Sequence, residues 1–312
     1  MQFAFVYPGQ GSQSVGMLSE LAASYPQVQQ AFEEVSDVIK VNLWKVVVEG
    51  PAEDLNQTKN TQPALLAASY ALSQVWQSNT SAQPVLSAGH SFGEISAMSC
   101  GSALSFADAA SIARRRGELM QSAVAVGEGA MAAILGLEDA KLEQLCSATS
   151  KEGAIVEAVN YNAPGQVVVA GHTAAVDALI EVAKEQGAKR ALKLPVSVPA
   201  HSSLMRPAAD AFVSVLDQVQ WSLPTVPVIQ NASLTVAADV DALKAALIEQ
   251  LYSPVPWVKT IAAIKESGAE LVIELGPGKV LTGLAKRIDK TLQSVCVFDN
   301  ASLEQAMTLL GE

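Results

Sequence analysis

The sequence predicts a mixed α/β protein: a parallel sheet covered by helices on both faces, interrupted by a smaller unit of different strand order. Two observations carry that prediction. At both ends of the 312-residue chain short apolar runs alternate with helical patterns, and between them the elements read βαββαβ. Half of the residues are hydrophobic, enough for a sizeable core in one large domain or two parts.

The elements follow in order. "FAFVYPG", starting at Phe3, is an apolar strand, and residues 16–38 have a helical pattern. "TQPALLAASYALSQVWQ" is a strongly periodic helix, "PVLSAG" a short buried strand, and a helix follows Ser91. The next helix, "SFADAASIARRRGELMQSA", opens with a capping-box-like pair, Ser105 and Asp108. The middle then changes character. "AMAAILGL" (strand), residues 138–150 (helix), "IVEAVNYN" and "QVVVAG" (strands), "TAAVDALIEVAKEQG" (helix) and "KRALKLPVS" (strand) spell the ferredoxin-like order. After about residue 220 the alternation resumes with strand "VPVIQNAS", helix "DVDALKAALIEQLY" and a helix ending near Gly268. Strand "ELVIELGPG", helix "KVLTGLAKRI", strand "SVCVF" and a last helix complete it. The body is therefore expected in 1–122 and 198–312 and the inserted unit in 123–197, with a ligand site in the cleft between them.

Composition excludes several function classes. The N-terminus "MQFAFVYPGQ" has no basic region and its apolar run stops at Pro8, so it reads as a buried strand and not a signal peptide. No window offers the roughly 18 apolar residues of a membrane span. Three widely spaced cysteines, Cys100, Cys146 and Cys296, have no metal or redox spacing and fit a reducing cytoplasm. A net charge of −11 argues against nucleic acid and anionic membrane surfaces as partners. With only three histidines and no CxxC or HExxH, a metal site is not expected. The loops "YPGQGSQSVG" and "ELGPGKVLTG" match no nucleotide-binding spacing.

"AGHSFGE" holds the pattern GxSxG around Ser91. Five letters occur by chance in a chain rich in Gly and Ser, but here they lie between a strand and a helix. That is the context of a nucleophile elbow, in which a strained turn exposes the serine hydroxyl beside a helix N-terminus. A serine needs a base. His90 adjoins Ser91 and its side chain diverges from it, and His172 sits at a helix start. His201, in "LPVSVPAHSSLMRP", lies where the chain re-enters the body, stiffened by two prolines. Elimination selects His201, with a packed or capping histidine as the open alternative. Along the helix from Ser105, Ala109, Ile112, Leu119 and Met120 form one stripe; Arg114 points away as a solvated charge, Arg115 flanks it, and Arg116 falls inside it. A buried guanidinium needs an anionic partner, and a ligand carboxylate in the cleft is the sharper reading beside a protein partner.

With these pieces assembled, the chain resembles the malonyl-CoA:acyl-carrier-protein transacylases of bacterial fatty-acid synthesis and related acyltransferase domains. The resemblance covers essentially the whole chain and rests on "FVYPGQGSQSVGM", "TQPALLAASYAL", "AGHSFGE", "RRRGELMQ", "VNYNAPGQVVVAGH", "LPVSVPAHSSLM", "QLYSPVPW" and "ELGPGKVLTGL". It implies an α/β-hydrolase-like body with a ferredoxin-like subdomain, and ping-pong malonyl transfer through Ser91 with His201 as base. It also implies Arg116 on the malonyl carboxylate, backbone N–H groups of Gln10 and Phe92 as the oxyanion hole, and the backbone carbonyl of Gln250 orienting His201. A search for a triad acid from the residues alone would go to Asp210 instead. No cofactor is implied beyond the CoA thioester substrate and the phosphopantetheine carried by the partner. Phe92 departs from the usual leucine of the family, and with Ala200 it bears on the room for the acyl group. Acyl carrier proteins are typically acidic, so docking is expected at a basic patch, with Lys189, Arg190, Lys286 and Arg287 as candidates and Lys193 and Lys290 beside them. The competing classes are a serine hydrolase, against which a buried Arg116 argues, and a non-catalytic carrier-binding module, against which an intact Ser91 and His201 argue.

Overall fold

The computed structural model describes residues 1–196 and 198–311. The chain opens with β1 (Phe3–Tyr7), followed by α1 (Ser19–Ser24), α2 (Pro26–Ile39), α3 (Leu43–Glu49), α4 (Ala52–Leu55) and the long α5 (Thr58–Asn79). Next come β2 (Leu86–Gly89), α6 (Gly93–Cys100) and α7 (Phe106–Ser122). The middle holds β3 (Gly129–Leu135), α8 (Asp139–Thr149), β4 (Val156–Ala163), β5 (Gln166–His172), α9 (Thr173–Glu185) and β6 (Arg190–Lys193). The chain finishes with α10 (Arg206–Leu216), β7 (Val228–Ile229), α11 (Val240–Glu249), α12 (Trp257–Glu266), β8 (Leu271–Leu275), α13 (Val280–Ile288), β9 (Gln293–Val297) and α14 (Asn300–Leu310).

Two sheets result. The first is parallel, in the order β7-β2-β1-β8-β9. Every residue of β1 is buried because both faces are covered. Phe3, Phe5 and Tyr7 point into a core shared with α2, α5, α6, α7 and α10, while Ala4 and Val6 point into a second core with Trp257, Ile261 and Leu281 of α12 and α13. The second sheet is antiparallel, in the order β4-β5-β3-β6, the ferredoxin-like arrangement that the βαββαβ order predicts. Its own core sits under α8 and α9. The edge strand β4 meets the body through Val255, whose N–H donates to Val159 O at 2.8 Å and whose carbonyl accepts from Tyr161 N at 3.0 Å.

Four differences from the pattern reading have local causes. The helix expected over 16–38 is two, broken at Tyr25, which is extended (φ −130°) because the following Pro26 disfavours helical backbone. "VPVIQNAS" contributes only Val228 and Ile229 to the sheet edge, since Asn231 is diverted to the elbow described below. The strand expected over "KRALKLPVS" ends at Lys193, short of Pro195, which has no N–H for a ladder; its last residue, Ser197, lies outside the described residues. Helices α3, α4 and α10 are additional to the elements the pattern predicts. Among the described residues no helix is long and apolar enough to cross a membrane, and no group of three His, Cys, Asp or Glu side chains is placed to hold a metal ion.

Candidate active site

The register Tyr7↔Gly89 brings the end of β2 level with the end of β1, so Ser91 leaves the sheet at its C-terminal edge, where open α/β sheets place ligands. Ser91 has φ +53°, in the left-handed region that L-residues seldom adopt. The turn is tight enough to demand both flanking glycines. A Cβ on Gly89 would lie 1.9 Å from the Gly93 carbonyl carbon, and one on Gly93 would lie 2.0 Å from Tyr7 O. Phe92 then caps α6, so the hydroxyl stands at the positive end of a helix.

His201 faces it. Its Nε2 is 2.6 Å from Ser91 Oγ and its Nδ1 is 2.7 Å from the Gln250 carbonyl. Because a carbonyl can only accept, Nδ1 carries the ring proton and Nε2 is free to receive that of Ser91. Gln250 is the C-cap of α11, where carbonyls lack helical partners and carry the negative end of the dipole. A helix terminus thus occupies the place of a triad carboxylate. Asp210, the acid that a search by residue type would select, is exposed on α10. His201 is 2% exposed; burial first, and the charge of Arg116 second, push its imidazole down to about 3, against the opposing bond to Gln250. The ring is a neutral base.

Arg116 is 1% exposed. Its Nη2 donates to Gln250 Oε1 at 2.8 Å, and its guanidinium carbon lies 6.0 Å from the Phe92 ring centroid. Among the described residues no carboxylate lies within ion-pair distance of it. Burial lowers its pKa to about 10 while Glu94 raises it, so it is cationic at neutral pH. Arg114 differs from expectation: it is half-buried, bonded to Glu118 at 2.7 Å, Asn60 Oδ1 at 2.8 Å and Lys59 O at 3.3 Å. The cause is Pro63 inside α5, which has no N–H for the Lys59 carbonyl four residues earlier. Arg115 is the exposed member of the three.

Ser91, His201, Arg116, Phe92 and Gln10 line one cavity of about 110 Å³, walled by apolar side chains including Met131. Among the described bonds, the N–H groups of Gln10 and Phe92 donate to no protein acceptor. Phe92 is buried and lines this cavity. Ala200 lines the same cavity. His90 bonds Asn162 Oδ1 at 2.8 Å and packs on Trp257, and His172 accepts from Ile155 N at 3.0 Å; among the described bonds the partner of Ser91 Oγ is His201.

Sequence reasoning missed the polar support behind the elbow, Glu94 and Asn231, and the cavity residues Gln62 and Asn160. Glu94 had a signal, a carboxylate in the first turn of a helix with no solvated face. Asn231 had none, being 140 residues from the serine whose N–H it accepts at 2.9 Å. The candidate docking cations Lys189, Arg190 and Arg287 line an open groove of about 790 Å³ together with Glu138 and Asp139. Lys286 and Lys290 are exposed beside it in sequence but line a different depression, and Lys193 pairs with Asp177 at 2.7 Å.

A profile described as acyl transferase domain matches residues 4–310. Malonyl CoA-acyl carrier protein transacylase of Salmonella typhimurium is 51% identical over 307 residues, 98% of this chain and 99% of that protein. An acyl carrier protein S-malonyltransferase structure from Vibrio cholerae superposes with a TM-score of 0.94 at 51% identity, covering 98% of this chain and 100% of that one. A malonyl-transacylase in complex with its type II PKS acyl-carrier protein superposes with a TM-score of 0.97 at 47% identity, covering 99% and 100%.

Proposed function

Since this chain belongs to the acyl transferase family, we propose that it transfers malonyl from malonyl-CoA to the phosphopantetheine thiol of acyl carrier protein through a malonyl-Ser91 ester. The observation that carries this reading is the convergence of Ser91, His201 and a buried, carboxylate-free Arg116 on one cavity. His201 Nε2 takes the Ser91 proton as Oγ attacks the thioester carbonyl, and the N–H groups of Gln10 and Phe92 receive the oxyanion. The intermediate collapses as the C–S bond breaks, and the imidazolium returns its proton to the CoA thiolate. In the second half the carrier thiol gives its proton to His201 and attacks the ester carbonyl. Ser91 then leaves, reprotonated from His201. Arg116 holds the malonyl carboxylate in both halves through paired N–H donors.

A hydrolase for neutral esters gains nothing from a desolvated guanidinium, which is costly to bury. Docking of the carrier is assigned to Lys189, Arg190 and Arg287 around the open groove, with Lys286 on the adjoining face of α13. Three free cysteines are consistent with a cytoplasmic setting. The test is intact-mass analysis after incubation with malonyl-CoA. The expected result is a malonyl adduct that Ser91→Ala lacks and that discharges onto carrier protein faster than into water. Faster discharge into water identifies a hydrolase, and no adduct identifies a binding module.

A further inference from the structure

We propose that Glu94 is a positioning residue for acyl selection: as a buried acceptor it locks the Gln250 side-chain amide with Oε1 toward Arg116, joining the acyl-carboxylate site to the Ser91–His201 pair. The proposal rests on the malonyl-transfer reading above and deepens it.

The geometry admits one orientation of that amide. Glu94 is the second residue of α6 and fully buried behind the elbow. Its Oε2 accepts from Gln250 Nε2 at 2.7 Å and from Asn231 N at 2.9 Å. The same Nε2 donates to Ser91 O at 3.0 Å. Both amide hydrogens therefore face acceptors, a carboxyl oxygen that also accepts from Asn231 N and a backbone carbonyl. Turning the amide over would set its oxygen against those two acceptors and its NH₂ against the guanidinium, which only donates. With Glu94 in place, Oε1 is left for Arg116.

Glu94 reaches the reacting atoms along two further routes, both indirect. The backbone carbonyl of Gln250 accepts from His201 Nδ1. Asn231, held through its N–H by Glu94, accepts from Ser91 N at 2.9 Å and donates to Gly89 O at 2.7 Å. One acid thus anchors two residues: Gln250, which stands behind both the base and the guanidinium, and Asn231, which stands behind the nucleophile. Burial pushes the Glu94 carboxyl up to about 7, opposed by the bonds from Asn231 and Gln250 and by Arg116. A carboxyl kept at such a cost in the core is not chosen for packing.

The test compares second-order rates of Ser91 acylation by malonyl-CoA and by acetyl-CoA, read by intact mass, in wild type, Glu94→Met, Glu94→Gln and Gln250→Leu. Glu94→Met removes the stronger of the two acceptors for Gln250 Nε2 and leaves the amide held by Ser91 O alone, so Oε1 is no longer fixed against Arg116 and the expected malonyl-to-acetyl rate ratio falls by about tenfold or more, with acetyl transfer reduced far less. Glu94→Gln keeps an acceptor at the Oε2 position, bonded to Asn231 N, and the expected ratio stays within about threefold of wild type. Gln250→Leu keeps the backbone carbonyl for His201 and is expected to match Glu94→Met. Equal loss on both substrates in Glu94→Met overturns the proposal, as does a Glu94→Gln ratio as low as that of Glu94→Met. If Glu94→Met does not fold, equal losses in Gln250→Leu overturn it. Failure of wild type to form any malonyl adduct counts against the transferase reading itself and is separable from these ratios.

Discussion

A neutral imidazole buried beside a guanidinium has a consequence for stability that follows from its sign. In the unfolded chain the His201 ring takes a proton below its ordinary 6.5, whereas in the folded protein burial and Arg116 delay that to about 3. Between those values the unfolded state binds more protons, so the stability tied to His201 is complete above pH 6.5 and is lost as pH falls toward 3. Glu94 works with the opposite sign: its raised carboxyl favours folding fully below 4.5, a contribution lost as pH rises through about 7. Subtraction isolates the histidine. The difference in unfolding free energy between wild type and His201→Gln is expected to shrink below pH 6.5 by about 1.4 kcal/mol per pH unit, measured by urea denaturation at pH 7, 6 and 5. A difference independent of pH would show that the ring is solvated in the folded protein.

At the scale of elements, the ends of helices do much of the polar work. The C-terminus of α11 supplies the carbonyl for His201, and the N-terminus of α6 begins beside Ser91. Helix α13 is capped from outside: its N-cap, Lys279, makes no side-chain bond, and Glu274 of β8 supplies the acceptors instead. Glu274 Oε1 accepts from Leu281 N at 3.0 Å, and Oε2 accepts from Thr282 N and Thr282 Oγ1, both at 2.7 Å. A strand acid thereby binds sheet to helix in the second core. Glu274→Ala leaves these donors buried without a partner and is expected to cost about 1–3 kcal/mol. Denaturant unfolding would show it as a lowered midpoint, with the malonyl-to-acetyl ratio unchanged because Glu274 does not touch the cavity. Such caps are hard to read in a sequence, because Glu274 lies outside the helix it caps. Ser105, which accepts from Asp108 N at 3.0 Å within its own first turn, was legible for the converse reason.

For the whole molecule, a net charge of −11 sets the partner problem: an acidic carrier has to find a local cationic surface on a repulsive body. The groove between the β3–α8 turn and α13 offers Lys189, Arg190 and Arg287, partly offset by Glu138 and Asp139. Raising ionic strength is expected to slow transfer to carrier protein while leaving transfer to a small thiol within about twofold. A Lys189→Glu, Arg287→Glu double variant is expected to raise the KM for the carrier about tenfold or more at low salt, with Ser91 acylation unchanged. Equal salt dependence for both acceptors would place docking elsewhere.

The layering of the fold is legible in residue order, because alternation of buried strands and amphipathic helices is a local property, and so is the change to βαββαβ in the middle. The elbow is legible for a similar reason, since the glycines at 89 and 93 and the serine between them share a single turn. Arg116 is visible as a charge out of place on an apolar stripe, whereas the half-burial of Arg114 is not, because the carbonyl that draws it in is exposed by a proline 51 residues away. What stands behind Ser91, His201 and Arg116 is set by long-range packing. The carbonyl of Gln250, the carboxyl of Glu94 and the amide of Asn231 come from a helix end, a buried helix start and the turn after an edge strand. No pattern of residue types marks a backbone carbonyl as the partner of a base; folding alone brings it within 2.7 Å.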